Sequence, residues 1–410
     1  MLIKPKGIEL RRFGEMATLQ IGSKTWVVLN SIRTVNEIIN KRGSITNGRP
    51  DYPVSSDLMS RSKRSVLLKV PEWSDRRRVT HQVLSGSAMK SYAEYQDVES
   101  LQLLTGYMDQ PSKWYQHHAR YSNSTIYRIA FGKRVLSITP QLAAIRQVHE
   151  DFLEHNPPNN IIDCFPRLSN LPRPFQWWRK SAEKLGQRAF DVYKGYWDPV
   201  LREIQEGQAP ASFARDLLVG DDAKFKGSDE DAMYLSGELI EAGSETTRIS
   251  HDSFVMAAIC YPDVIQKARA ELDQICGNSA DRLPNFDDEP SLTYILAFIK
   301  ELLRWKPIIV WGTEHCLTED LEFEGYRFPK HTNFVINNAA TAQDTDYFEN
   351  PDEFRPERWL DGRESDILHG TTTFGGGRRV CVGYRLAQKS LYLNIARLIY
   401  CFDFYSVSAL

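Results

Sequence analysis

A chain of 410 residues with 42% hydrophobic and 25% charged side chains has the composition of an ordinary globular protein. Lys+Arg 51 against Asp+Glu 53 leaves a formal charge of -2, which gives no support to nucleic-acid binding. No run reaches the ~18 apolar residues of a membrane span, and the basic start, MLIKPKGIELRRFGEM, lacks the apolar core of a signal peptide.

Residues 17–30, ATLQIGSKTWVVLN, read as two short strands around Gly22-Ser23. SIRTVNEIINKRG follows as a helix, with Ser31 as its cap and Gly43 as its stop. Residues 44–70 are irregular and polar. EWSDRRRVTHQVLS opens a helical region that runs to about residue 207. Prolines break it at 156–178 into loop or very short helices. GSDEDAMYLSGELIEAGSETTRISHDSFVMAAICYP is the longest helix candidate. Ser228 and Asp231 make its capping box; Tyr261-Pro262 ends it, and Pro262 starts the next helix at its first position. SLTYILAFIKELLRWKP is a further helix stopped by Pro307, and residues 321–337, LEFEGYRFPKHTNFVIN, read as a hairpin around Glu324-Gly325. YRLAQKSLYLNIARLIYCF closes the pattern as an apolar helix. The sum is a mainly α protein with a minor sheet near each end, without a linker, internal repeat or low-complexity tract.

The six cysteines are scattered, with no CxxC pair and no CxxCH, so neither a disulfide scaffold nor a zinc site is supported. Cys381 differs from the rest in its surroundings, FGGGRRVCVG at 374–383. Glycines permit close approach of the backbone to another group, and neighbouring arginines favour thiolate. A cysteine thiolate can be the axial ligand of haem iron, and Arg379 can match a haem propionate bidentately. A phosphate-cradling glycine loop is the alternative, but the GK[ST] ending and the GxGxxG spacing are both missing.

The motif F-x-x-G-x-R-x-C-x-G, present as Phe374, Gly377, Arg379, Cys381 and Gly383, resembles the signature of the cytochromes P-450. Ala387 fits the family's pattern in the following helix, and three more motifs stand in the family's order. KELLRW supplies Glu301 and Arg304, and FRPERW supplies Arg358; the resemblance makes these a buried charge network that locks the haem loop. EAGSETT supplies Ala242, Gly243, Glu245, Thr246 and Thr247. Here the resemblance implies room for dioxygen at Gly243, a proton-delivering hydroxyl at Thr246 and a proton relay at Glu245. EWSDRRR supplies Trp73 and Arg77, which with His315 and Arg379 are implied to hold the propionates. The sequence departs from the family at Val382, Glu314 and His331, where proline or isoleucine, proline, and glycine are common.

The resemblance implies the P-450 fold, a helical haem-binding domain with small sheets, over residues 1–410. It also implies a missing N-terminal anchor and missing strands of the C-terminal substrate loop. It implies haem b with a thiolate ligand, O2 as oxidant, and electrons from NADPH through a cytochrome P-450 reductase. The similarity is greatest to fungal microsomal-type members, so the expectation is a monooxygenase acting on a small apolar substrate in secondary metabolism, at the cytosolic face of the endoplasmic reticulum membrane. LPRPFQWWRK, with Trp177 and Trp178 beside Arg179 and Lys180, has the character of a membrane interface. Two other readings stay open: a haem-thiolate isomerase or dehydratase without external electrons, which often lacks the acid–alcohol pair, and a truncated non-catalytic relative. By the same resemblance Ala242, Thr246, Glu238 and residues 310–313 face the substrate, and Glu238 is an uncommon charge in such a place.

Overall fold

The computed structural model describes residues 9–84, 88–156, 159–219, 225–279 and 281–406. The first residues of the basic start, Ser85 at the end of EWSDRRRVTHQVLS, Pro157, Pro158 and the last four residues lie outside that range. Strands β1 (Met16–Ile21) and β2 (Lys24–Leu29) pair antiparallel across the predicted turn. Gly22 takes φ 64°, and a Cβ there would lie 2.4 Å from the Cys164 carbonyl oxygen, so the turn also serves as a close contact with a distant segment. Ser31 caps the next helix as expected, but α-helical geometry ends at Thr34 and gives way to a wider turn over Val35–Asn40. The irregular 44–70 stretch contains one helical turn, Pro53–Leu58.

Downstream, β3 is His315–Cys316, β4 Leu321–Phe323, β5 Tyr326–Phe328 and β6 Asn333–Ile336. β4 and β5 form the predicted hairpin around Glu324-Gly325. The last strand of the 321–337 segment does not join it. β6 pairs parallel with β2 and antiparallel with β3, giving the order β1-β2-β6-β3. The expected two sheets, one near each end, are therefore corrected to one sheet built from both ends, plus the hairpin. The reason lies in burial: all four residues of NFVI are buried, so the N–H and C=O groups along both edges of the strand need hydrogen-bond partners.

The helices that frame the site are α1 (Glu72–Val83), α2 (Ala88–Asp109), α3 (Trp114–Phe131), α4 (Pro140–His155), α5 (Arg179–Gln205), α6 (Phe213–Val219), α7 (Asp229–Cys260), α8 (Pro262–Cys276), α9 (Thr293–Trp305) and α10 (Tyr384–Cys401). α7 begins with the predicted capping box: Ser228 Oγ accepts from Asp231 N at 3.2 Å, and the Asp231 carboxylate accepts from Ser228 N at 2.8 Å. Its first half packs with Ile126, Tyr193 and Trp197 from α3 and α5. Its last third packs with Phe298, Leu302 and Leu393 from α9 and α10. Between these two cores lie residues 242–249, most of which keep accessible surface.

Candidate active site

The Cys381 loop is closed by Gly375 N donating to Thr372 O and Cys381 N donating to Phe374 O, both at 2.8 Å. Gly377 has φ 59°, and a Cβ on it would lie 2.3 Å from the Ile39 carbonyl oxygen, so only glycine fits. Its N–H is held by Asn40 Oδ1 at 2.7 Å. A Cβ on Gly375, by contrast, would meet no atom within 4 Å, so this glycine borders open space.

Cys381 is exposed, yet burial is the main influence on its thiol and pushes its pKa up, opposed by the Gly383 N–H and by Arg77. The thiol is thus reachable while its surroundings disfavour the charged form. The loop arginines do not create a thiolate, as their proximity in sequence implied. Arg378 is exposed, and Arg379 turns away to donate to the Asn47 and Leu68 carbonyls, each at 2.8 Å. A metal cation at the sulfur would overcome the burial, since a coordinating thiol is deprotonated outright.

Arg379 stacks on Trp73, 4.1 Å from the ring centroid. Its Nη1 is buried and has no hydrogen-bond partner. Burial, then the nearby Arg49, pushes the guanidinium down to about 8. Arginine keeps its proton in proteins, so this depression marks a charge awaiting an anion. His315 is buried, and its Nδ1 donates to Thr46 O at 2.9 Å. Burial, then Arg49, holds its imidazole down at about 3, with Arg379 adding to the effect. Arg77 is depressed chiefly by burial. Trp73, Arg77, His315 and Arg379 thus meet around a positive region. A buried carboxylate would fill the orphaned guanidinium position, and the propionates of haem have that chemistry.

On α7, Ala242 is exposed although Ile240, Glu241 and Ser244 beside it are buried. Glu238 and Thr246, one turn either side of it, keep partial exposure. Side chains four apart share a helix face, so one face of α7 stays accessible between the two cores. Thr246 Oγ1 donates to Ala242 O at 2.7 Å, which leaves its lone pairs free. Glu245 does not join it: its carboxylate accepts from Arg248 at 2.6 Å and lines a separate cavity of about 190 Å³ with Arg146 and His149. Gly243 does not make space for dioxygen either. A Cβ there would come within 2.5 Å of Ile126, so this glycine admits α3 instead.

Glu301 is fully buried and receives Arg304 Nε and Nη2 at 2.8 Å, Arg358 Nε at 3.1 Å, Arg355 N at 2.8 Å and Trp359 Nε1 at 2.9 Å. Arg304 continues to the carbonyls of Ala342, Pro351 and Glu353. The predicted Glu301–Arg304–Arg358 network is present and ties α9 to the segment that leads into the cysteine loop.

Sequence reasoning missed two buried groups. Arg49 donates to the Glu314 carbonyl and adds to the positive region, while Glu314's carboxylate binds Trp26 Nε1 at 2.8 Å. Arg64 pairs with Glu241, which Tyr193 also reaches. Neither arginine lies in a motif, and only the tertiary packing buries them.

A cytochrome P450 family model matches residues 10–408. The chain is 32% identical over 406 residues to the cytochrome P450 monooxygenase fogE of Aspergillus ruber, covering 96% of this chain and 74% of that protein. It is 30% identical to the cytochrome P450 monooxygenase virE of Hypocrea virens, over 95% of this chain and 73% of that protein. In fold it is similar to a zebra fish cytochrome P450 solved with progesterone, with a TM-score of 0.78 at 22% identity, covering 98% of this chain and 93% of that one. The chain belongs to the cytochrome P450 family, and so to the oxidoreductases.

Proposed function

We propose that this protein is a haem-thiolate monooxygenase that places one oxygen atom of O2 into a small organic substrate, within fungal secondary metabolism. Bound haem b supplies the oxygen activation and insertion. The observation that carries the reading is Cys381, exposed in a glycine loop that its own N–H closes on Phe374 O, with a Gly383 N–H directed at its sulfur. Cys381 serves as the iron ligand, and the Gly383 N–H tunes the basicity of the sulfur. Trp73, Arg77, His315 and Arg379 hold the propionates. Phe374 and Gly377 shape the loop. Thr246, whose hydroxyl oxygen keeps lone pairs free, would position a proton for delivery beside bound haem. Glu245, on the solvent side of α7, feeds protons inward from the Arg146–His149 cavity. Gly243 sets the approach of α3, and Glu301, Arg304 and Arg358 keep the loop in place.

Electrons come from NADPH through a cytochrome P-450 reductase. The protein works at the cytosolic face of the endoplasmic reticulum membrane, although no helix among the described residues is long and apolar enough to cross one. Supporting this, Phe175 and Trp177 are 65% and 67% exposed beside Arg179 and Lys180, a pairing suited to a membrane interface. The test is the spectrum of the reduced, CO-bound protein. The wild type should show the thiolate-type Soret band and Cys381→Ser should lose it; a retained band in the variant refutes the assignment.

A further inference from the structure

The cavity of about 190 Å³ beside Glu245 opens between α3, α4 and α7. Residues four apart share a helix face, and Tyr115, Ala119 and Asn123 turn one such face of α3 toward it. The small side chains of Ala119 on α3 and Ala143 on α4 leave room between the two helices. Tyr115, Ile138, Leu142 and Ile145 supply apolar walls, and Tyr115 and Ile138 are about half exposed at the rim. A cavity of about 150 Å³ suffices for benzene, so this one takes a single ring with a small substituent.

The polar wall restricts what that substituent can be. Its charges are matched. Glu245 Oε2 accepts from Arg248 Nη2 at 2.6 Å, and Arg248 Nη1 donates to Asp252 at 2.6 Å. Arg146 Nε donates to Glu150 at 3.0 Å. Glu241 pairs with Arg64, accepts from Tyr193 and lies 3.6 Å from His149 Nδ1. A charged ligand would find no free countercharge there, so a neutral one fits better. At the floor, Asn123 has an acceptor to spare. It is 7% exposed, and its Nδ2 donates to Ala119 O at 2.8 Å, one turn back, which fixes the orientation of the amide. Its Oδ1 keeps accessible surface and, among the described residues, meets no donor. A ligand O–H can supply that bond.

We propose that the cavity between α3, α4 and α7 is a small-molecule site apart from Cys381, which binds a neutral single-ring phenol with its ring against Leu142 and Ile145 and its O–H donated to Asn123 Oδ1. The assignment does not rest on the haem reading.

The test is calorimetry on the haem-loaded protein. The probes are phenol, toluene as its donor-free match in size, and benzoate and benzylammonium as charged rings. The wild type should bind phenol about three- to tenfold more tightly than toluene, the size of one neutral hydrogen bond, and more tightly than either charged ring. Ala143→Trp fills the cavity from its exposed rim, where the core is not disturbed, and should remove phenol binding. Asn123→Leu should keep toluene binding and bring phenol to the same affinity. If Asn123→Leu folds poorly, Ala143→Trp still decides. Phenol bound as tightly by Ala143→Trp as by the wild type overturns the inference, because the ligand then lies elsewhere. Equal binding of phenol and toluene by the wild type overturns it too, as does tighter binding of a charged ring or a phenol preference that survives in Asn123→Leu.

Discussion

Replacing Glu301 by glutamine removes one charge and almost no volume, yet it strikes the most heavily bonded side chain near the site. Five donor contacts converge on its two oxygens, three on Oε1 and two on Oε2. Glutamine offers one acceptor oxygen and one NH2 group. In its better orientation the NH2 replaces Oε2 and confronts Arg304 Nε and Trp359 Nε1, both donors. Arg304 is 2% exposed and cannot turn to water. Removing one partner of a buried pair costs about 3–5 kcal/mol. Unfolding entropy near 2.1 cal/mol/K per residue makes 1 kcal/mol worth about 1.2 °C for a chain of 410 residues. Glu301→Gln should therefore lower the melting midpoint by about 4–6 °C and loosen the segment that precedes the cysteine loop. Differential scanning calorimetry gives the midpoint, and the Soret band followed during heating shows whether haem leaves first. Glu357→Gln is the control, because Glu357 binds a mostly exposed Lys267 at 2.6 Å. Such a pair is worth below about 1 kcal/mol. Equal midpoints for the two variants would refute the claim that Glu301 locks the loop.

Arg379→Ala should speed haem transfer to apomyoglobin by roughly ten- to hundredfold, from the roughly 1.5–3 kcal/mol of a charged hydrogen bond; an unchanged rate removes Arg379 from the propionate site. Thr246→Ala should lower product formed per NADPH consumed while leaving haem content intact, because only the proton-positioning hydroxyl is lost; a constant ratio shows that Thr246 does not serve proton delivery. His251 is wholly buried, with Nδ1 donating to Thr247 O at 2.8 Å and Nε2 2.9 Å from Asn394 Nδ2. Burial, then His118, holds it at about 3. The unfolded chain thus takes up an extra proton below about pH 6.5, and stability falls as pH drops through that value toward 3. The loss is about 2 kcal/mol by pH 5. Denaturant titrations at pH 5 and 7 should show a smaller difference for His251→Gln than for the wild type, and an equal difference would count against His251 as a source of acid sensitivity.

The sequence by itself determined what depends on neighbours along the chain. Ser228 and Asp231 cap α7 because both bonds close within four residues, and Pro262 starts α8 because its ring suits a first helical turn. The ten-residue loop around Cys381 was legible for the same reason: its glycines and arginine are spaced for one local shape. Glu301 and Arg304, three apart on one helix, were also within reach of pattern reasoning, and the segment order supplied Arg358. The tertiary structure decided everything that depends on what lies across a packed interface. β6 left its hairpin to lie between β2 and β3 because its buried backbone needed hydrogen-bond partners on both edges. Gly243 met Ile126, and Glu245 turned to Arg248, because helix rotation is set by packing rather than by motif. Arg49 and Arg64 carry no local mark, and burial alone turns these ordinary surface residue types into interior charges. Their effect comes from lost solvation, which a position acquires only when distant segments close over it.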